Sequence, residues 1–283
     1  GAGFWNVTGT GNTYLGSSAG TGANGNSNNN NTGVGKSALT AITTGGNNVA
    51  VGSSAGAAIT TGASNAILGY QALDAATTAL NNVAIGKGAM GGITSGIAAA
   101  YCVAIGTDAL YGNSSFSAGN SSYTIAIGYR AGYAITNTAA GIYNTIVGGT
   151  AAQALTTGGG SVYLGYAAGY TMTTGDKNTA IGAYALQTHL TGTRNTAIGF
   201  EAMHDTDAGT NSNDSDDNVF IGHQAGGGTW ANAKSEQNVA IGNYTMDAVL
   251  NGALNNTALG NYTLSSLTTG DSNVALGYSA GGS

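Results

Sequence analysis

Proline is missing from all 283 residues, cysteine occurs once, and charged side chains make up only 6% of the chain. Ordinary soluble domains are roughly a quarter charged. Each shortage excludes something. Collagen needs abundant Pro and Gly at every third position, so the 50 glycines here do not wind a triple helix. A single Cys excludes a disulfide framework within the chain. Six Lys plus Arg against 12 Asp plus Glu leave no basic surface for nucleic acid. A net charge of −6 with 42% hydrophobic residues does not fit charge-driven disorder. No apolar run reaches the ~18 residues of a membrane-crossing helix, and the longest, GIAAAYCVAIG at 96–106, falls short. Direct membrane insertion of this chain is therefore not expected. No charged start followed by an apolar run and a cleavage site is seen, so any export or anchoring segment is expected elsewhere.

What the chain has in quantity is a repeat. A nine-residue frame, Asn-(Thr/Val)-(small or Tyr)-(Ile/Leu/Val)-Gly-x-x-Ala-(Gly/Leu), recurs from end to end, as in NTYLGSSAG at 12–20, NVAIGKGAM at 82–90 and NTAIGFEAM at 195–203. Its central Gly falls at 16, 35, 52, 69, 86, 106, 128, 148, 165, 182, 199, 222, 242, 260 and 277. Seven of the 14 spacings are 17 residues and the rest run from 18 to 23, with every extra residue lying between frames. A fixed motif with variable spacers is one strand and turn per coil of a solenoid, with loops bulging between coils. The fold expected is an all-β parallel β-solenoid, a β-roll of about 15 coils of 17–23 residues, forming a single domain over 1–283 and belonging to a longer fibre chain. At about 4.8 Å per coil it would make a rod of roughly 70 Å.

Within Asn-Val-Ala-Ile-Gly, strand alternation sends Val and Ile to one face and Asn and Ala to the other. Val and Ile are expected inside the coil, leaving a smooth Ala face for packing against another chain. Gly16, Gly52, Gly86, Gly182, Gly199 and Gly277 are among the corner glycines, where a Cβ would obstruct the turn. Asn opens 12 of the 15 copies, among them Asn12, Asn31, Asn48, Asn82, Asn144, Asn178, Asn195, Asn218, Asn238, Asn256 and Asn273. Stacked Asn side chains suit a hydrogen-bonded ladder, and Cys102, Thr124 and Ser161 replace Asn in the other copies. The spacers often carry Thr-Thr-Gly, as at 43–45, 60–62 and 173–175, which reads as a second short strand and a turn. In a parallel solenoid almost every strand N–H is taken by a neighbouring coil, which accounts for the missing Pro.

The recurrent NTAIG/NVAIG followed by Ala-Leu or Ala-Gly resembles the head repeats of trimeric autotransporter adhesins, and is similar to repeats of phage tail fibres. The resemblance covers essentially the whole chain, although the adhesin head repeat is shorter than 17 residues. It implies a left-handed β-roll, three chains about one axis, and a cell-surface, secreted-filament or virion location. The function expected is a non-enzymatic fibre or adhesin segment that projects loops toward a host-surface glycan or protein receptor. Threefold repetition would raise avidity. The long spacers near 91–101, 111–124, 204–217 and 227–237 are the expected contact loops. A tailspike-like glycan depolymerase is the alternative, and it would need paired carboxyls. Only Asp74, Asp108 and Asp176 are acidic in the first 200 positions. Ice binding through the Thr ladder needs a regular array that the uneven spacers interrupt.

Other patterns are weaker. Asp205, Asp207, Asp214, Asp216 and Asp217 form one acidic cluster, read as a solvated loop, with a low-affinity Ca²⁺ site as the sharper reading. No other cofactor is implied. Gly33 to Ser37 resembles the end of a phosphate-binding loop, but residue 30 is Asn where that motif needs Gly. GSSAG and GYSAG match a nucleophile elbow three times over, which marks them as the repeat itself. His189, His204 and His223 lack metal-ligand spacing, and Cys102 reads as buried and inert. Aromatic residues recur just past the corner Gly, at Tyr70, Tyr129, Tyr166, Phe200 and Tyr278, or one residue later at Tyr184, Tyr244 and Tyr262. Edge packing and an exposed stripe for glycans are both open for them.

Overall fold

The computed structural model describes residues 1–93, 100–112, 123–136, 143–206 and 214–282. It is an all-β parallel solenoid, with no α-helix among the described residues. The chain divides into two compact units, Gly1–Asn144 and Thr145–Ser283. The first holds β1 (Thr13–Leu15), β2 (Thr32–Val34), β3 (Val49–Val51), β4 (Ala66–Leu68), β5 (Val83–Ile85), β6 (Val103–Ile105) and β7 (Ile125–Ile127). The second holds β8 (Thr145–Val147), β9 (Val162–Leu164), β10 (Thr179–Ile181), β11 (Thr196–Ile198), β12 (Val219–Ile221), β13 (Val239–Ile241), β14 (Thr257–Leu259) and β15 (Val274–Leu276). Within each unit successive strands pair in parallel, with equivalent frame positions opposite one another, as in Val83↔Val103 and Thr179↔Thr196.

Bonds between coils continue beyond the strands. In the coil of β3, Val49 N–H donates to Asn65 O, Gly52 N–H to Val34 O, Ser54 N–H to Lys36 O and Gly56 N–H to Ala72 O. A Pro at any of these positions would delete one bond. At frame position five the corner glycines have φ between +120° and +144°, a region that only Gly enters freely. Adjacent corners also touch: a Cβ on Gly86 would lie 2.5 Å from Gly106 O.

The strand faces are reversed from the sequence expectation. The central Ala of β3, β5, β6, β10 and β11 is fully buried. The flanking residues point outward, with Val49 48% and Leu68 50% exposed. The cause is the Asn. Asn48 Nδ2 donates across the coil to Gly62 O (3.0 Å), while Asn48 Oδ1 accepts from the backbone N–H and Nδ2 of Asn65. The same cross-coil bond recurs at Asn31, Asn178, Asn238 and Asn256. An inward Asn forces the residue two further on inward as well. The coil is thin, so that residue is usually Ala. Where it is aromatic, at Tyr14, Tyr163 and Phe220, frame position nine is Gly (Gly20, Gly169, Gly226), and a Cβ there would run into the ring.

Among the described residues the expected second strand does not form. Thr43, Thr44 and Gly45 all donate their N–H to the single carbonyl of Thr60, and Thr60, Thr61 and Gly62 do the same to Thr77. Three donors on one acceptor make a bend, not a strand ladder. Among the described residues that side carries isolated bridges, such as Ala63↔Leu80, and no paired strand.

Candidate functional site

The largest chemical feature is the outward strand face. Frame position four is Val, Ile or Leu in all 15 coils, and position two is Val, Ile, Ala or Thr. Inward Asn and Ala leave these side chains no place in the core, and none of the positions carries a charge. Each unit therefore presents an uncharged, largely apolar sheet face, with Leu15, Ile125, Leu164, Ile241 and Leu259 all exposed. Large contiguous apolar patches on soluble proteins mark interaction surfaces. The Ala face expected to be outward and to pack against another chain is buried instead, and the outward face carries Val, Ile, Leu and Thr.

Beyond the corner glycine the side chains of positions six and seven line the edge. In the second unit they join into one row: Tyr166, Tyr184, Phe200, His223, Tyr244, Tyr262 and Tyr278, with successive ring centroids 5.1–5.9 Å apart. Two sequence positions converge on one row, and His223 fills it in the coil with neither Tyr nor Phe at those two positions. Tyr70 and Tyr129 are exposed in the first unit. A second stack there, Tyr101, Tyr123 and Tyr143, occupies the position just before the frame, with centroids 5.2 and 5.5 Å apart. Sequence reading missed it, although three successive frames preceded by Tyr were the available signal. Coil stacking brings equivalent side chains within reach of each other, and this packing stabilises the edge without a ligand.

The described acids of the 205–217 segment are shared among separate partners. Asp205 accepts from Thr229 Oγ1 (2.6 Å), Asp214 pairs with Lys234 (2.5 Å), and Asp216 accepts from the Thr193 N–H (2.6 Å). Asp217 takes Arg194 in a two-pronged bond of 2.5 and 2.8 Å. Asp207 lies outside the described residues. Among the described residues no three His, Cys, Asp or Glu side chains are placed to hold a metal ion. Of the four expected contact loops, 94–99, 113–122 and 207–213 are outside the described residues. In the fourth, Trp230 turns inward, fully buried against Phe220, with Nε1 donating to Gly226 O (3.0 Å). Ser18, Ser54 and Ser279 of the elbow-like matches all sit on the left-handed turn at frame position seven.

Two buried titratable groups belong to the packing. Cys102 takes the Asn place, its N–H donating to Asn82 Oδ1 (3.0 Å), and burial pushes its thiol up to about 11. His189 occupies the interior site that holds Met172 in the preceding coil. Its Nε2 lies 3.0 Å from Ser215 O, so Nε2 carries the proton and Nδ1 accepts from Thr206 Oγ1 (2.8 Å). Asn195 Nδ2 also faces the ring, and Asp216 and Asp214 stand farther off. Burial lowers the ring from its ordinary 6.5 to about 4, a shift that hydrogen bonding to Ser215 and the two carboxylates only partly offset. The folded chain therefore binds fewer protons than the unfolded chain between those values. This contribution to stability is complete above pH ~6.5 and is lost as pH falls toward 4, an effect on the order of 3 kcal/mol. His189→Met is expected to flatten the acid limb of melting temperature against pH between 7 and 4.5. An unchanged limb would assign it to other groups.

No family model, no curated protein and no solved structure matches this chain.

Proposed function

We propose that the chain is a non-enzymatic segment of an extracellular fibre, in which three copies associate through the outward Val/Ile face and leave their edges free for surface attachment. The observation that carries this reading is the uncharged, largely apolar strand face that each unit presents. The occupant is another copy of the chain. A second solenoid of the same sequence offers the same face at the same coil spacing, so every strand meets an apolar partner. The resemblance to trimeric adhesin heads supports three copies. Closed rotational symmetry also limits the assembly to a discrete particle. Attachment by the exposed edges then gains from threefold repetition.

Ile105→Lys combined with Ile241→Lys is the test. Both residues lie on the outer face, so each coil still closes, and the far-ultraviolet circular dichroism should remain that of the unaltered chain. Light scattering is expected to give three times the 27.5 kDa chain mass for the unaltered protein and one chain mass for the variant. An unaltered chain that is monomeric at micromolar concentration would refute the reading.

A further inference from the structure

The first unit contains a cavity of about 370 Å³, lined by Gln71, Asp74, Lys87, Asp108, Tyr111 and Tyr133 together with Ala75, Gly88 and Gly91. The residue after the frame is Asp74, Gly91, Tyr111 and Tyr133 in four successive coils, so no side chain of that position stands between Asp74 and Tyr111. The Gly91 position itself is closely packed, a Cβ there lying 3.0 Å from Gln71 O and 3.3 Å from Asp74 Oδ1. Tyr111 forms one wall. A Cβ on Gly88 would lie 2.5 Å from Asp108 Oδ1 and 3.6 Å from the Tyr111 ring, and one on Gly92 2.7 Å from that ring, so a side chain at either position would crowd it. Behind it Tyr133 stacks at 5.4 Å and 12°, and the Arg130 guanidinium lies 5.0 Å from the Tyr133 centroid. The platform is thus braced by two further groups. Asp108 and Arg130 are 3.8 Å apart.

We infer that this cavity binds a neutral pyranose unit of a glycan, its C–H face laid on Tyr111 and its hydroxyls bonded by Asp74, Asp108, Gln71 and Lys87. Three observations converge. The volume is at the small end of small-molecule sites, about 300–1,000 Å³. The lining combines a braced aromatic face with acceptors and donors on several sides, which matches a ligand that is apolar on its face and polar at its rim. The charges of Asp74 and Asp108 are balanced by Lys87 and Arg130, so nothing selects an ion. Burial also holds the Asp74 carboxyl above the usual carboxylate range, although its own backbone N–H partly offsets this. The site is complete within one chain. It supplies the ligand for the attachment role proposed above, yet it does not require association of the chains.

Titration calorimetry on the full chain, with methyl glycosides of glucose, galactose and N-acetylglucosamine and with N-acetylneuraminic acid as the charged probe, tests this. At least one neutral glycoside is expected to bind with a Kd of about 1 mM or tighter, and the acidic sugar to bind more weakly. Tyr111→Ala is expected to weaken binding about tenfold or more, and Tyr111→Phe to retain it. Asp74→Asn is the second probe if Tyr111→Ala fails to fold, and a similar loss is expected. Absence of binding by every neutral glycoside, preference for the acidic sugar, or affinity unmoved by these variants would overturn the inference. Light scattering on the same samples reports association separately, so failure here leaves the trimer reading standing and the reverse also holds.

Discussion

Gly86→Val is expected to break the solenoid where it stands. The corner has φ +129°, which costs an L-residue on the order of 1–3 kcal/mol, and Val is β-branched besides. Space adds to strain: the new Cβ would lie 2.5 Å from the backbone oxygen of Gly106, which is itself held in the next corner. Neither backbone can yield without losing bonds between coils. The sum exceeds about 4 kcal/mol, a range reserved for a few severe mechanisms. Because neighbouring coils stabilise each other, the damage should be local before it is global. Amide exchange is expected to show lost protection in the coils of β5 and β6, and the melting temperature to fall by roughly 10 °C or more. Gly149→Ala is the control. Gly149 has no positive φ, and its added Cβ would make an ordinary 3.4 Å contact with Tyr166. A change within about 0.5 kcal/mol is expected there. Equal effects from the two substitutions would refute the corner argument.

Gly226→Leu is expected to be nearly as damaging, but curable. A Cβ at 226 would lie 2.5 Å from the Phe220 ring, in a coil whose remaining interior is taken by Trp230. Backbone strain is not the obstacle. Gly226 has φ +62°, and Leu39, Leu73 and Leu186 adopt φ of +50°, +46° and +54° at the same frame position. The conflict is one of volume. Phe220→Ala alone removes a buried ring and should cost about 3–5 kcal/mol. The double variant restores the Ala-plus-Leu filling of Ala180 with Leu186. It is therefore expected to be more stable than the sum of the single effects predicts, with a coupling of about 2 kcal/mol in denaturant unfolding. Additive effects would mean that the two positions do not share one cavity.

The solenoid was legible because the frame repeats in register while its spacers vary, a pattern that only stacked coils accommodate. The polarity of the strand was not. Period-two alternation separates Val and Ile from Asn and Ala but does not say which set is inside, and hydrophobicity points to the wrong one. The inner set is decided by the cross-coil Asn bond, which joins residues 14 apart, as Asn48 to Gly62. The left-handed turns were hidden as well, since Met90, Tyr184 and Leu110 adopt positive φ without any Gly signal. The pairing of Phe220 with Gly226 was readable, had the frames been aligned position by position. The cavity beside Tyr111 was not, because its lining comes from four coils. Asp74 and Asp108, far apart in sequence, line one cavity only because their coils stack.

The claim that the Val/Ile face lies outside the coil and against other copies can be tested at one pair of neighbouring positions. Cysteine is placed at Ile105 or at Ala104, in a Cys102→Ser background, since Ser161 already occupies that frame position. Each variant is treated with a short bis-maleimide at micromolar protein concentration. Ile105→Cys is expected to join chains covalently, while Ala104→Cys stays unreacted until the protein is unfolded. Reaction at 104 with protection at 105, or labelling at 105 that never joins two chains, would contradict it.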